Sequence, residues 1–385
     1  MEERDVFRQI MTWLACAVLF PIGGMAEPKQ VLMDDAGQWK LSTYAGNPEL
    51  RSFAAGDKYR TSLVGSTAVD SKGNGYVASG TFIAIVTAEG KADVLTGQPD
   101  FAGNTDGPPG RATFGNAIDI VLINDNLIYV VDAANFTLRK LERVEGLWQT
   151  QTVAGAPGKQ GHRDGPGRQA LFQSMFDSVT ADEKGVLYLF SGNYIRRYHK
   201  GMVSTLNRNG ATGYVNGPLD KAQFYHSQGA FHGLTCDGRG NLFVADKANI
   251  AIRKINLKTG MVTTFAGRGP GEDRDHPRDG KALDARFHPG GGPNTIYWNP
   301  IHKRFIVRSD DERTGRVIYR RNGEWVVRTL AGLRKNNEGK YRITALMNRP
   351  CGVDPEGNIL LKYRSAIRIL EYTGPEKNPG EEGGK

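Results

Sequence analysis

The sequence predicts an all-β fold: a six-bladed β-propeller closed by an N-terminal strand that completes the last blade. Three observations predict it. A turn pair is followed six residues on by Ala and eight on by Phe. The copies are Asp106-Gly107…Ala112…Phe114, Asp164-Gly165…Ala170…Phe172, Asn216-Gly217…Ala222…Phe224 and Asp279-Gly280…Ala285…Phe287. Units end on an apolar stretch closing in Ala-Gly or a relative, as at Ala45-Gly46, Thr96-Gly97, Ala154-Gly155, Leu206-Asn207, Ala266-Gly267 and Ala331-Gly332. Finally, the last unit runs out after three strands, near Tyr372, while Trp39–Gly46 carries a fourth-strand pattern ahead of the first unit. A unit repeated at this period cannot bury its apolar face alone and must stack on its neighbours.

From the N-terminus, residues 1–26 are expected to be a secretory signal peptide. Arg4 and Arg8 precede an apolar run over residues 10–22, too short to span a bilayer comfortably, and Gly24-Met25-Ala26 offers a small-residue cleavage site. The propeller is expected over residues 38–373, and a disordered tail rich in Pro, Gly, Lys and Glu over 374–385. The clearest unit runs from Phe224 to Gly267. Gly233–Cys236, Leu242–Ala245, Ile250–Ile255 and Met261–Ala266 read as four antiparallel strands, separated by Asp237–Asn241, Asp246–Asn249 and Lys258–Gly260. Units one, two, three and six repeat the plan, and unit five diverges most, with Thr295–Trp298, Phe305–Val307 and Val317–Tyr319.

Composition agrees. The chain has 385 residues with 49 Gly and 39% apolar content, which suits many short strands joined by tight turns. The formal charge of +9 favours loose attraction to polyanions, but no dense basic run marks a specific nucleic-acid site. Only Cys236 and Cys351 would survive leader cleavage, and they lie in non-neighbouring units, so no bridge is expected. There is no Gly-x-Ser-x-Gly elbow, His-Glu-x-x-His, phosphate-binding Gly loop or paired zinc Cys motif.

The pattern Gly-x-x-x-Asp-x-x-Gly-Asn-Leu-Phe-Val-Ala-Asp-x-x-Asn-x-x-Ile-Arg-Lys-Ile, carried by Gly233–Ile255, resembles the NHL repeat. The resemblance implies a propeller and leaves the activity open, since similar propellers serve as binding platforms, lyases and lactone hydrolases. In such a fold the first strand of each blade lines a central channel. Aligned on their turns, the mouth positions are Gly65, Ala117, Asp177, His232, Asn294 and Cys351. Asp177, His232 and Cys351 together could hold a divalent ion such as zinc or calcium, with Asn294 as an oxygen donor.

Phe231-His232-Gly233-Leu234 is similar to the zinc-holding segment of the NHL-type lyase that cleaves peptidyl-hydroxyglycine, although the other mouth positions lack its further histidines. His226 and His288 fall close to the same rim as candidate ligand-binding residues. Asp106, Asp164, Asn216 and Asp279, each before Gly, read as turn-forming residues. The expected function is a secreted or periplasmic binding module for a protein, peptide or glycan. It would be a monomer, with no transmembrane segment in the mature chain. The alternative is a metal-dependent lyase or lactone hydrolase at the channel mouth.

Overall fold

Short runs of β-branched and aromatic residues bounded by Gly, Asn and Asp favour strands. Their side chains pack on a pleated surface, and their ends tolerate tight turns. In a computed structural model of the protein these runs form antiparallel sheets along the chain. It describes residues 30–34, 37–46, 66–88, 92–173, 176–208, 210–225, 233–270, 278–287, 292–309, 315–330, 332–335, 341–344, 349–354, 356–363 and 366–374. In 30–46, 332–352 and 360–374, and at 92, 176, 309 and 330, it describes the backbone alone. The expected leader therefore lies outside the described residues, as does the expected tail except for Gly374, which ends a strand.

Five blades are each built from four consecutive strands, ordered from the inside outward. Blade 1 comprises Thr67–Val69, Gly75–Ala78, Phe82–Val86 and Ala92–Gly97. Blade 2 comprises Ala117–Asn124, Leu127–Asp132, Thr137–Val144 and Leu147–Ala154. Blade 3 is Phe176–Ala181, Leu187–Ser191, Tyr194–His199 and Met202–Thr205. Blade 4 is Leu234–Cys236, Asn241–Asp246, Ala251–Asn256 and Met261–Ala266. Blade 5 is Pro293–Asn299, Arg304–Ser309, Gly315–Arg321 and Glu324–Leu330.

The expectation of a six-bladed propeller does not hold: the described residues form five blades. After blade 5 the chain departs from the plan, first with a separate hairpin, Gly332–Lys335 against Tyr341–Thr344. The two chain ends then combine into a five-stranded composite sheet. It joins Arg349–Val353, Ile359–Tyr363 and Ala366–Gly374 to Gly37–Gly46 and then to Gln30–Asp34. Its inner strand contacts the inner strands of blades 5 and 1.

The apolar core is distributed among the blades. Separate buried clusters fill the spaces between blades 1 and 2, 2 and 3, 3 and 4, and 4 and 5. This is the stacking that a single amphipathic unit needs.

The repeated turn residues have a larger role than turning the chain. A buried Arg on the third strand of blades 2 to 5 reaches the turn residue: Arg139 to Asp106 at 3.0 Å, Arg196 to Asp164 at 2.8 Å, Arg253 to Asn216 at 2.8 Å and Arg316 to Asp279 at 3.3 Å. The same guanidinium lies over the ring of the repeat Phe, namely Phe114, Phe172, Phe224 and Phe287, at 4.8–5.4 Å. A Thr of the fourth strand completes each latch. Thr152, Thr205 and Thr329 donate through hydroxyl and amide to their Asp, and Thr264 accepts from Asn216.

The Gly after each turn residue carries φ of 139°, 129°, 130° and 149°, a region open essentially to Gly alone. At these glycines the backbone pairs with the outermost strand of its blade, as a bridge from Gly107 to Thr150 or as a two-residue strand at Gly165, Gly217 and Gly280. The reading of Asp106, Asp164, Asn216 and Asp279 as simple turn residues is therefore too modest: they anchor buried cations. Blade 1 carries Ala84 where the others place the Arg, since Ala84 pairs with Val77 as Arg139 pairs with Val130.

Candidate functional site at the axial channel

The inner strands enclose a cavity of about 450 Å³, lined by residues of all five blades together with Val353 and Asp354 of the composite sheet. A second cavity of about 530 Å³ continues from it along the later residues of the same strands, past Val121, Ala181 and Trp298.

The inner strands of different blades do not pair as neighbours in one sheet do, although the Ser66 amide donates to the Ile118 carbonyl at 3.0 Å, so most of their free backbone groups need other partners. The polar side chains of the channel wall supply several. The Ser66 hydroxyl accepts from the Ile120 amide at 2.9 Å, and Asp119 accepts from the Val179 amide at 2.8 Å. Ser178 accepts from the Leu234 amide at 3.2 Å, and Thr235 from the Trp298 amide at 3.0 Å. Blades 1 to 4 thus each cap a backbone donor on the next. Gly233 lacks a side chain because the neighbouring backbone leaves no room: a Cβ there would lie 2.4 Å from the Ile296 nitrogen.

Asp119 is the residue that sequence reasoning missed. Besides the Val179 amide it accepts from the Ile120 amide at 2.9 Å and from the Ser66 hydroxyl. Burial pushes its carboxyl up to about 6, with the hydrogen bonds from Ser66, Val179 and Ile120 opposing that rise. Its signal in the sequence was an acidic residue inside an otherwise apolar inner strand, Ala117-Ile118-Asp119-Ile120-Val121.

The sequence-predicted mouth residues share a backbone feature. Asp177 sits at an irregularity in strand pairing between Phe176 and Ser178, Asn294 at one between Pro293 and Thr295, and Cys351 at one between Pro350 and Gly352. In blade 2 the same feature falls between Ala117 and Asp119, so Ile118 rather than Ala117 holds the equivalent place. Bulges re-aim a side chain away from the regular pleat and recur beside active sites. Asp177 and Asn294 both line the cavity of about 450 Å³. The backbone of Cys351 is described and its side chain is not, while Gly65, His226, His232 and His288 lie outside the described residues. Among the described residues no group of three potential metal ligands comes together.

Asn294 is the anomaly of the site. It is fully buried, and among the described residues neither the oxygen nor the nitrogen of its amide has a hydrogen-bond partner. The adjacent Thr295 hydroxyl, which follows it on the same wall, also lacks one. A buried polar group left in this state costs about 1–3 kcal/mol, and native proteins retain few of them.

The fold and its channel define the protein as a β-propeller. No family model matches the chain, and no curated protein matches it either. Solved structures do. An auxiliary nutrient binding protein from Bacteroides ovatus is similar with a TM-score of 0.56 at 14% identity, covering 89% of this chain and 77% of that one. A Bacteroides thetaiotaomicron protein of unknown function gives 0.55 at 14%, over 86% and 75%. An auxiliary nutrient binding protein from Bacteroides thetaiotaomicron gives 0.54 at 13%, over 91% and 79%. At these identities the likeness is one of fold. Among the described residues no helix is long and apolar enough to cross a membrane.

Proposed function

We propose that this propeller is a secreted or periplasmic binding module, with NHL-type repeats, that takes part of a protein, peptide or glycan ligand into the axial channel. The observation that carries the reading is the cavity of about 450 Å³ enclosed by the inner strands, with Asp119 and Asp177 on its wall. A concave space of that volume with a few polar groups on its wall is the form that small-ligand sites take. The similar nutrient binding propellers support the same reading at the level of fold. A channel mouth built from bulged strands supports it too, because bulges place side chains that regular pairing would not.

The test is a screen of the purified protein on glycan and peptide arrays, with Asp177→Ala, at a lining position of the cavity, beside it. Enriched ligands are expected, and the variant should lose them. Absence of any ligand, or ligands indifferent to the variant, would remove the reading.

The second reading is a metal-dependent lyase or lactone hydrolase. Asp177, Asn294 and Cys351 share the bulge position, and the first two offer oxygen donors suited to a hard divalent cation. Stoichiometric metal in the purified protein, lost on Asp177→Ala, would favour it over the binding module.

A further inference from the structure

Four antiparallel strands ordered from the axis outward place the reversals between strands one and two and between strands three and four at the same end of a blade. The three-to-four reversals form the outer ring of that end. In blades 2 and 3 they are two-residue turns with both residues at positive φ, Glu145-Gly146 at 51° and 82° and Lys200-Gly201 at 49° and 77°. In blade 4 the reversal joins Ala251–Asn256 to Met261–Ala266. The residue that opens the fourth strand after each turn is apolar and exposed: Leu147 at 63%, Met202 at 50% and Met261 at 42%. Val144 faces Leu147 across the same turn and is 48% exposed.

Strand alternation sharpens the contrast. The next residues, Trp148, Val203 and Val262, turn inward and are buried, so the place before each faces water and calls for a polar side chain. An exposed apolar residue standing singly is ordinary. Here the exposure recurs at one structural position in three consecutive blades. The same reversals carry Arg143, Lys200, Lys258, Arg320 and Arg321 against Glu145 and Glu324, all exposed. Glu324 is paired with Lys281 at 2.9 Å, and Glu142, further inside the blade 2 hairpin, with Lys140 at 2.7 Å. In blade 5 Glu324 itself opens the fourth strand, so the apolar arc covers blades 2 to 4 and the cations extend beyond it.

We propose that this outer ring docks the propeller on an anionic lipid surface, with Leu147, Met202 and Met261 entering the headgroup layer and the neighbouring cations meeting lipid phosphates. The surface lies outside the channel, and the proposal stands whether or not the channel takes a ligand. The three side chains belong to separate sheets, so they do not make the single packed anchor on which protein interfaces depend. Beside Met202 and Met261 the sheet edge is already paired through Pro166 and Pro218, which closes it to an added peptide strand. A bilayer interface meets several separated tips at once, and its attraction sums apolar burial with charge. Lys stems lie along apolar surface while their heads stay in water, so Lys200 and Lys258 fit beside inserted Met side chains. The formal charge of +9 favours the same surface at longer range.

The test is vesicle co-sedimentation of the full chain, as processed by an exporting host. One vesicle is pure phosphatidylcholine and the other carries about one third phosphatidylglycerol, each at low and at high salt. The expected result is at least tenfold stronger partitioning onto the anionic vesicles, weakened by salt. A triple variant, Leu147→Ser with Met202→Ser and Met261→Ser, should lose at least tenfold, and so should a double variant, Lys200→Glu with Lys258→Glu. All five side chains are exposed, so both variants should melt with the parent. If the triple variant melts well below it, the double variant decides alone. No partitioning onto either vesicle would overturn the proposal. Partitioning that the folded triple variant retains would reduce the effect to charge and overturn it too. Self-association of the parent in light scattering, lost in the triple variant, would make the tips an interface between copies instead.

Discussion

The outer half of each blade and its inner strand use polar residues in opposite ways. In the outer half, blades 2 to 5 repeat one arrangement, an Arg on the third strand, an Asp or Asn before Gly and a Thr on the fourth strand. In blade 4 the arrangement closes further, because Arg253 also meets Asp246 at 2.9 Å with both side chains fully buried. On the inner strand the bulge position holds Ile118, Asp177, Asn294 and Cys351, four chemically different residues at one backbone feature. Where geometry alone must be satisfied, the same chemistry recurs in blade after blade. Where it changes while the backbone stays the same, the backbone does not require it.

The largest expected effect falls on the latch. Arg253→Met leaves Asp246 buried beside Asn249 without its cation and frees the carbonyls of Val215 and Gln223. Breaking such a pair costs about 3–5 kcal/mol, and calorimetry should show a melting point lower by many degrees. Arg168→Met removes a cation that also meets an Asp, Asp106 at 3.4 Å, but its side chain is 59% exposed. Exposed pairs contribute about 0–1 kcal/mol, so this variant should melt close to the parent. Equal losses from the two would erase the distinction between buried latch and surface pair.

A smaller effect separates Asp119 from the latches by its pH dependence. An unfolded Asp titrates near about 3.9, and the folded Asp119 near about 6. The folded state therefore holds the proton more tightly, and this group's contribution is most favourable below about pH 4 and is lost as pH rises through about 6. The full span is no more than about 3 kcal/mol. The stability of Asp119→Asn relative to the parent should rise between pH 4.5 and 7. A difference that stays flat across that window would contradict the raised carboxyl.

The strand order was legible in the sequence because turn residues and alternation recur at fixed spacing. In blade 4 the strands fall within a residue of their expected positions. The count of equivalent blades was not, because the region after blade 5 forms a hairpin of its own and the chain ends form a composite sheet. The latch was hidden for another reason. Arg139, Arg196 and Arg253 stand in alternating strands where a charged residue reads as solvent-facing, and only the fold shows that each points to a turn more than thirty residues earlier.

At the channel, Asp177, Asn294 and Cys351 could be found by alignment because each precedes a recognisable turn, at Asp182, Asn299 and Asp354, by three to five residues. Asp119 could not, since its neighbours on the channel wall, Ser66 and Val179, come from other blades.

The account's central claim is that the varied residues of the channel are kept for a ligand and the repeated ones for the fold. Thermal melting of Asn294→Leu tests it most directly. Leu keeps the branched heavy-atom skeleton of Asn and removes two buried polar atoms that have no partner among the described residues. Without ligand, the variant should melt at or above the temperature of the parent, because an apolar replacement of matched shape is neutral or stabilising. A loss comparable to that of Arg253→Met would show that the Asn294 amide supports the fold, and the claim would fail.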